Sequence, residues 1–469
     1  MEQFIGRKDE LKKLEEFYKG SKYKACSILG RRRIGKTTLI EEFTRDKDHW
    51  DIQFLDSTLD MNLELLGITM SKYVGKKVRY DSTMDFFQDL AEYIKERKTI
   101  IVFDEFPYMV NCDKTFPSLT QYFVDKQIGK SKLILCGSSV KTMEYETNDY
   151  SRPLYGRTWR LDMDKMPIKD CMQFNPDLPD IEQLKMYLIT GGIPLYCDVP
   201  DYKDFEDYVK RFILEPNSFF CREGESMIER ELSPKWRYVA ILDAMKGRRN
   251  TINTISSKTG IDRDTCTDCL NTMIELGLVS ETRPMFGAPK KPKYYSIKDN
   301  MLAFHFLAKR MDSSLNTNVD EMLRAISPMI STERGFMFEE YCKELMMTSY
   351  PVRSIGTWWG NGPEIDRWGN VIEEKQSVEH DIDVAAEVAS GFNVIELAVE
   401  CKFSNNPVGF EALNQLNSSI SCLKTKRAIR RMIISPSGFE RELVEYAKEN
   451  GILLVGLDML LRKEPMPEL

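Results

Sequence analysis

The sequence predicts a multidomain α/β protein with a parallel sheet first, a small helical domain in the middle and a second α/β domain last. The chain has 469 residues, enough for about three domains. Its first 200 residues alternate short apolar runs with amphipathic stretches, the pattern of a parallel sheet wrapped by helices. Helical and strand patterns alternate again in the last third of the chain, beyond a segment rich in basic residues.

The composition excludes several classes of protein. Hydrophobic residues make up 42% and charged residues 30%, which rules out a disordered, collagenous or coiled-coil chain. The net charge of −7 neither requires nor excludes a nucleic-acid partner. The eleven cysteines are odd in number and scattered, so we expect a reducing, cytoplasmic setting. The apolar stretch from Ile452 to Leu461 is too short to span a membrane, and none is expected to be crossed.

The first expected domain, residues 1–200, carries a phosphate-binding template. The segment from Gly30 to Thr37 matches G-x-x-x-x-G-K-[ST], with a strand pattern before it and a helix pattern after it. In that setting, backbone N–H groups converge on the β- and γ-phosphates of ATP. Gly35 lets the backbone approach, Lys36 supplies a positive charge, and Thr37 offers a hydroxyl to Mg²⁺. A basic surface turn is the alternative, but it does not explain the strand and helix in register.

A second acidic element follows the predicted strand from Ile100 to Phe103. Asp104 and Glu105 stand at its carboxyl end, where ligands bind in open α/β sheets. We expect Asp104 to hold Mg²⁺ and Glu105 to activate the attacking water. Two solvated acids that merely end a strand are the alternative. The domain is therefore expected to bind and hydrolyse ATP.

Three further residues are candidates for the nucleotide site. Ser138 follows a predicted strand and could sense the γ-phosphate, or be an ordinary turn serine. Arg157 could be an arginine finger, acting in its own subunit or on a neighbour, or a surface arginine. Pro194 could form a rigid turn against the adenine, or end a helix. The expected nucleotide-binding set is Gly30, Arg33, Gly35, Lys36, Thr37, Thr38, Ser138 and Pro194.

The order of these motifs resembles the prokaryotic AAA-type ATPases, which are related to the STAND class and abundant in archaea. The resemblance rests on Phe4-Ile5-Gly6-Arg7, the arginine-rich loop, Phe103-Asp104-Glu105-Phe106, Gly137-Ser138-Ser139, Pro153-Leu154-Tyr155-Gly156-Arg157 and Gly191-Gly192-Ile193-Pro194. It implies an ATPase that is often followed by a domain resembling restriction endonucleases.

The middle of the chain predicts a winged helix over residues 236–312, after a helical connector over 201–235. Three helix patterns precede two strand patterns, and Lys290 and Lys291 lie between the strands. The third helix pattern is acidic, so contact with DNA and a docking role between domains both stay open. The C-x-x-C pair, Cys266 and Cys269, is expected in a core rather than on zinc.

The last domain, residues 331–469, is expected after a linker over 313–330. A hairpin turning at Gly391 and Phe392 pairs Asp383 with Glu400, with Cβ atoms about 5 Å apart. Opposed carboxylates repel unless a cation lies between them. With Lys402 on the same face, they form a set that activates water for attack on a phosphodiester.

This arrangement resembles the PD-(D/E)XK nuclease core. The resemblance implies that Asp383 and Glu400 hold Mg²⁺, that Glu339 is the acid of the helix before the strands, and that Gln415 is a further polar position. The expected function is an ATPase whose nucleotide state controls a Mg²⁺-dependent DNA nuclease. The alternative is an ATP-driven regulatory switch, possible as a homo-oligomer, whose nuclease-like domain is inactive and serves assembly.

Overall fold

The structure is a computed structural model, in which the described residues are 4–218, 220–245, 247, 249–286, 292–309, 318–363, 371, 378–391, 393–423, 425 and 427–469. They divide into two units. The first comprises Met1–Cys171 and Ile193–Asp198, and the second comprises Met172–Gly192 and Val199–Leu469. No helix within these described ranges is long and apolar enough to cross a membrane.

Strands and helices alternate along the chain, as the sequence predicts. The strands are β1 (Ala25–Leu29), β2 (His49–Gln53), β3 (Ile100–Asp104), β4 (Lys132–Cys136), β5 (Thr158–Asp162), β6 (Val279–Thr282), β7 (Tyr294–Ile297), β8 (Val352–Gly362), β9 (Val378–Ser390), β10 (Asn393–Cys401), β11 (Ile429–Ile434) and β12 (Leu453–Val455). The helices are α1 (Lys8–Lys19), α2 (Lys36–Thr44), α3 (Leu59–Val74), α4 (Thr83–Ile94), α5 (Phe106–Cys112), α6 (Phe116–Lys126), α7 (Val140–Asn148), α8 (Ile168–Cys171), α9 (Asp180–Thr190), α10 (Pro194–Cys197), α11 (Phe205–Tyr208), α12 (Glu223–Glu231), α13 (Lys235–Ala244), α14 (Ile252–Thr259), α15 (Arg263–Glu275), α16 (Asn300–Lys309), α17 (Val319–Ser349), α18 (Phe410–Ser421), α19 (Arg441–Glu449) and α20 (Leu457–Leu460). A π-helical turn over Val209–Leu214 follows α11.

The first unit is built on a five-stranded sheet in the order β2-β3-β4-β1-β5. All neighbouring strands are parallel, and every residue of β1 and β4 is buried, which explains their continuous apolar runs. Phenylalanines pack below the sheet, with the rings of Phe87 and Phe116 5.3 Å apart. Because the strands are parallel, the loops that follow β1, β3 and β4 all leave from one edge of the sheet.

The first unit does not coincide with the expected domain over residues 1–200. Residues 172–192 belong to the second unit, because α9 packs against its helices. The side chain of Asn300 donates to the carbonyl of Leu188 at 2.5 Å, and the rings of Tyr187 and Tyr341 are 5.3 Å apart. The chain then returns to the first unit for residues 193–198.

The middle of the chain has the predicted order of three helices and two strands. The helices α13, α14 and α15 are followed by the antiparallel pair of β6 and β7, in which Val279 lies opposite Ile297. Cys266 and Cys269 are buried among apolar side chains, as expected for core cysteines. All eleven cysteines are unpaired. Lys290 and Lys291, the predicted hairpin lysines, lie outside the described residues.

The predicted linker over residues 313–330 is wrong from residue 319 onwards, where α17 begins. Asn318 caps this helix by accepting from the N–H groups of Asp320 and Glu321. Met322, Leu323, Ile326 and Ile330 are buried, and their spacing forms one face of the helix. Pro328 lies inside α17 and hides this periodicity in the sequence. Residues 313–317 lie outside the described residues.

The second unit also holds a mixed five-stranded sheet in the order β12-β11-β10-β9-β8. The pairs β8–β9 and β9–β10 are antiparallel, whereas β10–β11 and β11–β12 are parallel. The hairpin of β9 and β10 has the predicted register, with Asn393 opposite Ser390 and Val399 opposite Val384. This register confirms the turn position on which the pairing of the acidic residues depends.

Acidification is expected to destabilise the second unit through His305 of α16. Burial lowers the pKa of His305, and the nearby Glu225 carboxylate offsets this only in part. The unfolded chain therefore takes up this proton at a higher pH than the folded chain, and the free energy of unfolding falls as the pH drops below about 6.5. The variant His305→Leu should lose that part of the pH dependence of the melting temperature, measured by calorimetry. The matched control is His49→Gln, which replaces a partly exposed histidine of β2. If the melting temperatures of wild type and His305→Leu changed equally with pH, the assignment to His305 would be contradicted.

Candidate functional site

The loop after β1 is held in a conformation that depends on two glycines. Gly35 has φ 85° and precedes the first turn of α2. A Cβ on Gly30 would lie 2.7 Å from the carbonyl oxygen of Met163, so a side chain there would displace the backbone. The Nζ of Lys36 donates to the carbonyls of Gly30 and Arg31 at 2.6 and 3.0 Å. The loop thus wraps around the ammonium group at the start of α2.

The predicted magnesium residues of this loop come together. The Oγ1 of Thr37 lies 3.4 Å from Oδ2 of Asp104, and Oδ1 of Asp104 accepts from the N–H of Glu105 at 2.9 Å. Burial lowers the pKa of Lys36, while the charges of Glu105 and Asp104 act in the opposite direction. Thr38 is exposed in the first turn of α2. Hydroxyl and carboxylate oxygens are ligands that Mg²⁺ prefers, so this group fits that ion.

Glu105 and Ser138 are in direct contact. The N–H and the hydroxyl of Ser138 both donate to Oε2 of Glu105, at 3.0 and 2.9 Å. Glu105 has φ 52°, a left-handed conformation that is rare for a glutamate and typical of functional sites. The contact places Ser138 beside the expected catalytic base.

Two loop contacts were not predicted from the sequence. The buried Arg7 donates from Nη2 to the carbonyl of Ile34 at 3.0 Å and pairs through Nη1 with Glu10 at 2.8 Å. Arg33 has φ 71°, and its Nη1 donates to the hydroxyl of Tyr196 at 3.3 Å. No local pattern points to either, because each partner is distant in sequence or a backbone oxygen.

Pro194 lies beside the nucleotide loop. Its Cγ is 3.8 Å from the position that a Cβ on Gly35 would take. Gly192, two residues earlier, belongs to the second unit. The segment that contacts the nucleotide loop is therefore continuous with the other unit through a single peptide step.

Arg157 is not brought to the loop of its own chain. It immediately precedes β5, and Thr158 pairs with Ala25 at the amino end of β1, the opposite edge from Gly30. Its Nε donates to Asp125 at 2.9 Å, and Nη1 contacts the carbonyls of Pro153 and Tyr155. The structure therefore does not bring Arg157 together with the other predicted residues of the nucleotide loop.

The acidic pair of the second unit forms as predicted. The paired register of the hairpin ends with Val399 opposite Val384, one residue from each acid, and Asp383 lies close enough for its charge to act on Glu400. Oδ2 of Asp383 accepts from the N–H of Cys401 at 2.8 Å. Lys402 lies 2.6 Å from Oε1 of Glu400, and its Nζ donates to Oε1 of Gln415 at 2.9 Å. Four predicted residues thus meet at one end of the hairpin.

The environment of Glu400 disfavours its charged form. Burial, followed by the charge of Asp383, raises the pKa of Glu400 well above its usual range, although Lys402 opposes this. Its Oε2 is buried and has no hydrogen-bond partner among the described residues. Two carboxylates with a buried, unsatisfied oxygen fit a divalent cation. In the part of the chain that the structure describes, no group of three or more His, Cys, Asp or Glu side chains is arranged to hold a metal.

Glu339 lies on α17 near this end of the hairpin. Burial raises the pKa of the Cys401 thiol, as do the Cys342 thiol and the charges of Asp383 and Glu339. Sequence reasoning missed Arg249, which donates to Glu379 at 2.6 Å and to Asp381 at 2.5 Å. Asp381 is two residues from Asp383 on the same strand, so Arg249 brings a positive charge close to the acidic pair.

Comparisons with known proteins match the two ends of the chain to two families. Residues 4–197 match the family described as an ATPase domain predominantly from Archaea, and residues 331–463 match a restriction endonuclease family. An uncharacterised protein of Methanocaldococcus jannaschii is 30% identical over 375 residues, which cover 77% of this chain and 83% of that one. A second, shorter one from the same organism is 30% identical over 89 residues, covering 18% of this chain and 86% of its own. A Walker-type ATPase of Pyrococcus abyssi is similar in structure, with a TM-score of 0.49 and 21% identity, and covers 65% of this chain and 96% of its own.

Replacing Arg7 should weaken ATP binding without unfolding the protein. The variant Arg7→Ala removes a buried, charged donor from the loop carbonyl of Ile34, a contact worth about 1–3 kcal/mol. We expect ATP affinity to fall by about 10-fold in a calorimetric titration. Lys8→Ala, an exposed neighbour, is the control and should bind as wild type does. Unchanged affinity in Arg7→Ala would show that the contact does not shape the loop.

Proposed function

This chain belongs to the archaeal-type ATPases that carry a restriction-endonuclease domain, and we propose that it couples ATP hydrolysis to Mg²⁺-dependent cleavage of DNA. The ATPase is the part that the family establishes. The coupling and the cleavage are supported by the geometry of the two sites. The single observation that carries the proposal is that Asp383, Glu400 and Lys402 lie together at one end of the β9–β10 hairpin.

The ATP half is assigned residue by residue. The loop from Gly30 to Gly35 and the ammonium of Lys36 would hold the β- and γ-phosphates. Thr37 and Asp104 would hold Mg²⁺, which neutralises charge on the phosphates. Glu105 would accept a proton from the attacking water, with Ser138 fixing its carboxylate. Pro194 and Arg33 would border the bound nucleotide.

The nuclease half follows from electrostatics. Asp383 and Glu400 would hold a divalent cation, which supplies Lewis-acid polarisation of the scissile phosphate. Lys402 would orient the attacking water and balance the charge that develops on the phosphate. Gln415 fixes the ammonium of Lys402, and the N–H of Cys401 fixes Asp383. Glu339 would complete the acidic surroundings from α17.

The same hairpin offers an internal comparison. Glu387 and Glu396 also lie directly opposite each other, and Arg427 contacts both carboxylates. That pair thus has a cation supplied by the chain. At the other pair, Lys402 contacts Glu400 at 2.6 Å. Each pair of acidic residues on the hairpin therefore has a basic side chain of the chain itself against it.

DNA contact is assigned to the hairpin site rather than to the third helix of the middle segment. Asp262 caps α15 by accepting from the N–H of Thr265, so acidic groups stand at the end of the helix that would enter a groove. Arg283 immediately follows β6 and Lys293 immediately precedes β7, and both form ion pairs with Glu281 of β6. These ion pairs leave the middle segment better suited to packing than to base contacts.

Coupling is supported by chain continuity. Pro194 borders the nucleotide loop, and the chain reaches it directly from Gly192 of the unit that carries the acidic pair. Arg157 lies at the amino ends of the strands, away from the nucleotide loop, and would act only on the site of a neighbouring subunit. An ATP-driven switch with an inactive nuclease-like domain is the competing function, and the cleavage experiment separates the two.

The variant Glu105→Gln should bind ATP but fail to hydrolyse it. The amide keeps the shape of the carboxylate but cannot accept the proton of water, so kcat should fall by about 100-fold or more. ATP affinity should stay within about 3-fold of wild type, because no phosphate contact is lost. Phosphate release and a binding titration measure the two quantities. Full turnover in this variant would refute the role of Glu105.

The protein should cleave DNA in the presence of Mg²⁺ or Mn²⁺, and the variants Asp383→Asn and Lys402→Ala should each lose about 100-fold or more of that activity. Cleavage of single- and double-stranded DNA is measured with and without ATP. Lys448→Ala, exposed on α19, is the matched control.

Two results would count against this assignment. If wild type assembles with ATP but cuts no DNA with either metal, the switch is the better description. If Asp383→Asn cuts as wild type does, the cleavage comes from a contaminant or another site. Mn²⁺ binding measured by spin resonance gives a readout besides activity, and Asp383→Asn should weaken it.

A further inference from the structure

Arg32, inside the nucleotide loop, contacts the group that holds the expected catalytic base. Its Nη2 donates to Oγ of Ser138 at 3.1 Å and to the hydroxyl oxygen of Tyr108 at 3.3 Å. Tyr108 lies on α5, which begins immediately after Glu105. The contacts therefore join the loop after β1 to the segments after β3 and β4, all within the first unit.

These contacts fix the direction in which the hydroxyl hydrogen of Ser138 points. A serine hydroxyl has a single hydrogen to donate and lone pairs to accept with. Because Ser138 Oγ accepts from Arg32, its hydrogen is free to point at Oε2 of Glu105, 2.9 Å away. The N–H of Ser138 donates to the same oxygen at 3.0 Å. Oε2 is thus held by two donors, whereas Oε1 makes no hydrogen bond among the described residues.

We propose that Arg32 and Tyr108 are positioning residues for ATP hydrolysis. Tyr108 fixes the guanidinium of Arg32, which orients the Ser138 hydroxyl, which in turn anchors Oε2 of Glu105. Oε1 is then presented to the attacking water as its proton acceptor. The ammonium of Lys36 binds the phosphates, whereas Arg32 positions the catalytic base through Ser138. This division of labour explains why a bulky arginine in the loop turns toward Ser138.

The assignment rests on the proposed role of Glu105. The alternative role for an arginine in this loop is direct binding of the γ-phosphate. A phosphate ligand contributes to ATP binding, so its loss raises the dissociation constant. A positioning residue acts on the chemical step, so its loss lowers kcat at nearly constant affinity. The ratio of the two effects separates these roles.

The test compares Arg32→Ala, Arg32→Lys and Tyr108→Phe in the full chain. We expect kcat to fall by about 10-fold in Arg32→Ala and by about 3-fold in Tyr108→Phe, with ATP affinity within about 2-fold of wild type. Arg32→Lys should recover part of the rate, because an ammonium can still donate to Ser138 but not in the same geometry. The control is Arg45→Ala, which replaces an exposed arginine immediately after α2.

A double variant tests the relay itself. If Arg32 acts through Ser138, the Arg32→Ala and Ser138→Ala pair should be no slower than Ser138→Ala alone. Additive losses, weaker ATP binding at unchanged kcat, or faster turnover in Arg32→Ala would each overturn the proposal. Glu105→Gln is assayed in the same series, and full turnover in that variant means that the base itself is misassigned. Equal melting temperatures exclude misfolding as the cause of any loss.

Discussion

The carboxyl edge of the five-stranded parallel sheet is the constraint on which the nucleotide site depends. Parallel strands must deliver their following loops to the same edge, so the residues after β1, β3 and β4 converge although up to about a hundred positions separate them. The buried strands fix the backbone at that edge. Gly30, Asp104 and Ser138 follow three neighbouring strands, and their contacts are consequences of strand order. The order and direction of the strands therefore decide which loops meet at the nucleotide site.

The second site obeys a different constraint, the register of one antiparallel hairpin. Side chains in a hairpin meet across the strands only if the turn stands at one position, and a slip of one residue would move Asp383 to the other face. The apolar residues between the acids, such as Val384 and Val399, are fully buried and hold that register. Burial of the hairpin end then makes the opposed charges costly.

Local patterns could be predicted from the sequence, and long-range contacts could not. The alternation of strands and helices in the first unit and the register of the β9–β10 hairpin follow from apolar runs and turn residues. The partners of Arg7, Arg32 and Arg249 could not be predicted, because an arginine's partner is decided by the tertiary fold and not by its neighbours in sequence. The start of α17 was missed because Pro328 masks the apolar face. The packing of α9 against α16 and α17 could not be predicted, because Asn300 and Tyr341 lie more than a hundred residues further along the chain.

Direct measurement of ATP binding by the purified protein is the most decisive test of the claim that the loop around Lys36 grips a triphosphate beside a magnesium ion. Isothermal titration with Mg-ATP should show a single bound nucleotide per chain, and Lys36→Ala should abolish it while leaving the melting temperature unchanged. Failure of the wild-type protein to retain any adenine nucleotide at millimolar concentration would contradict the account at its foundation.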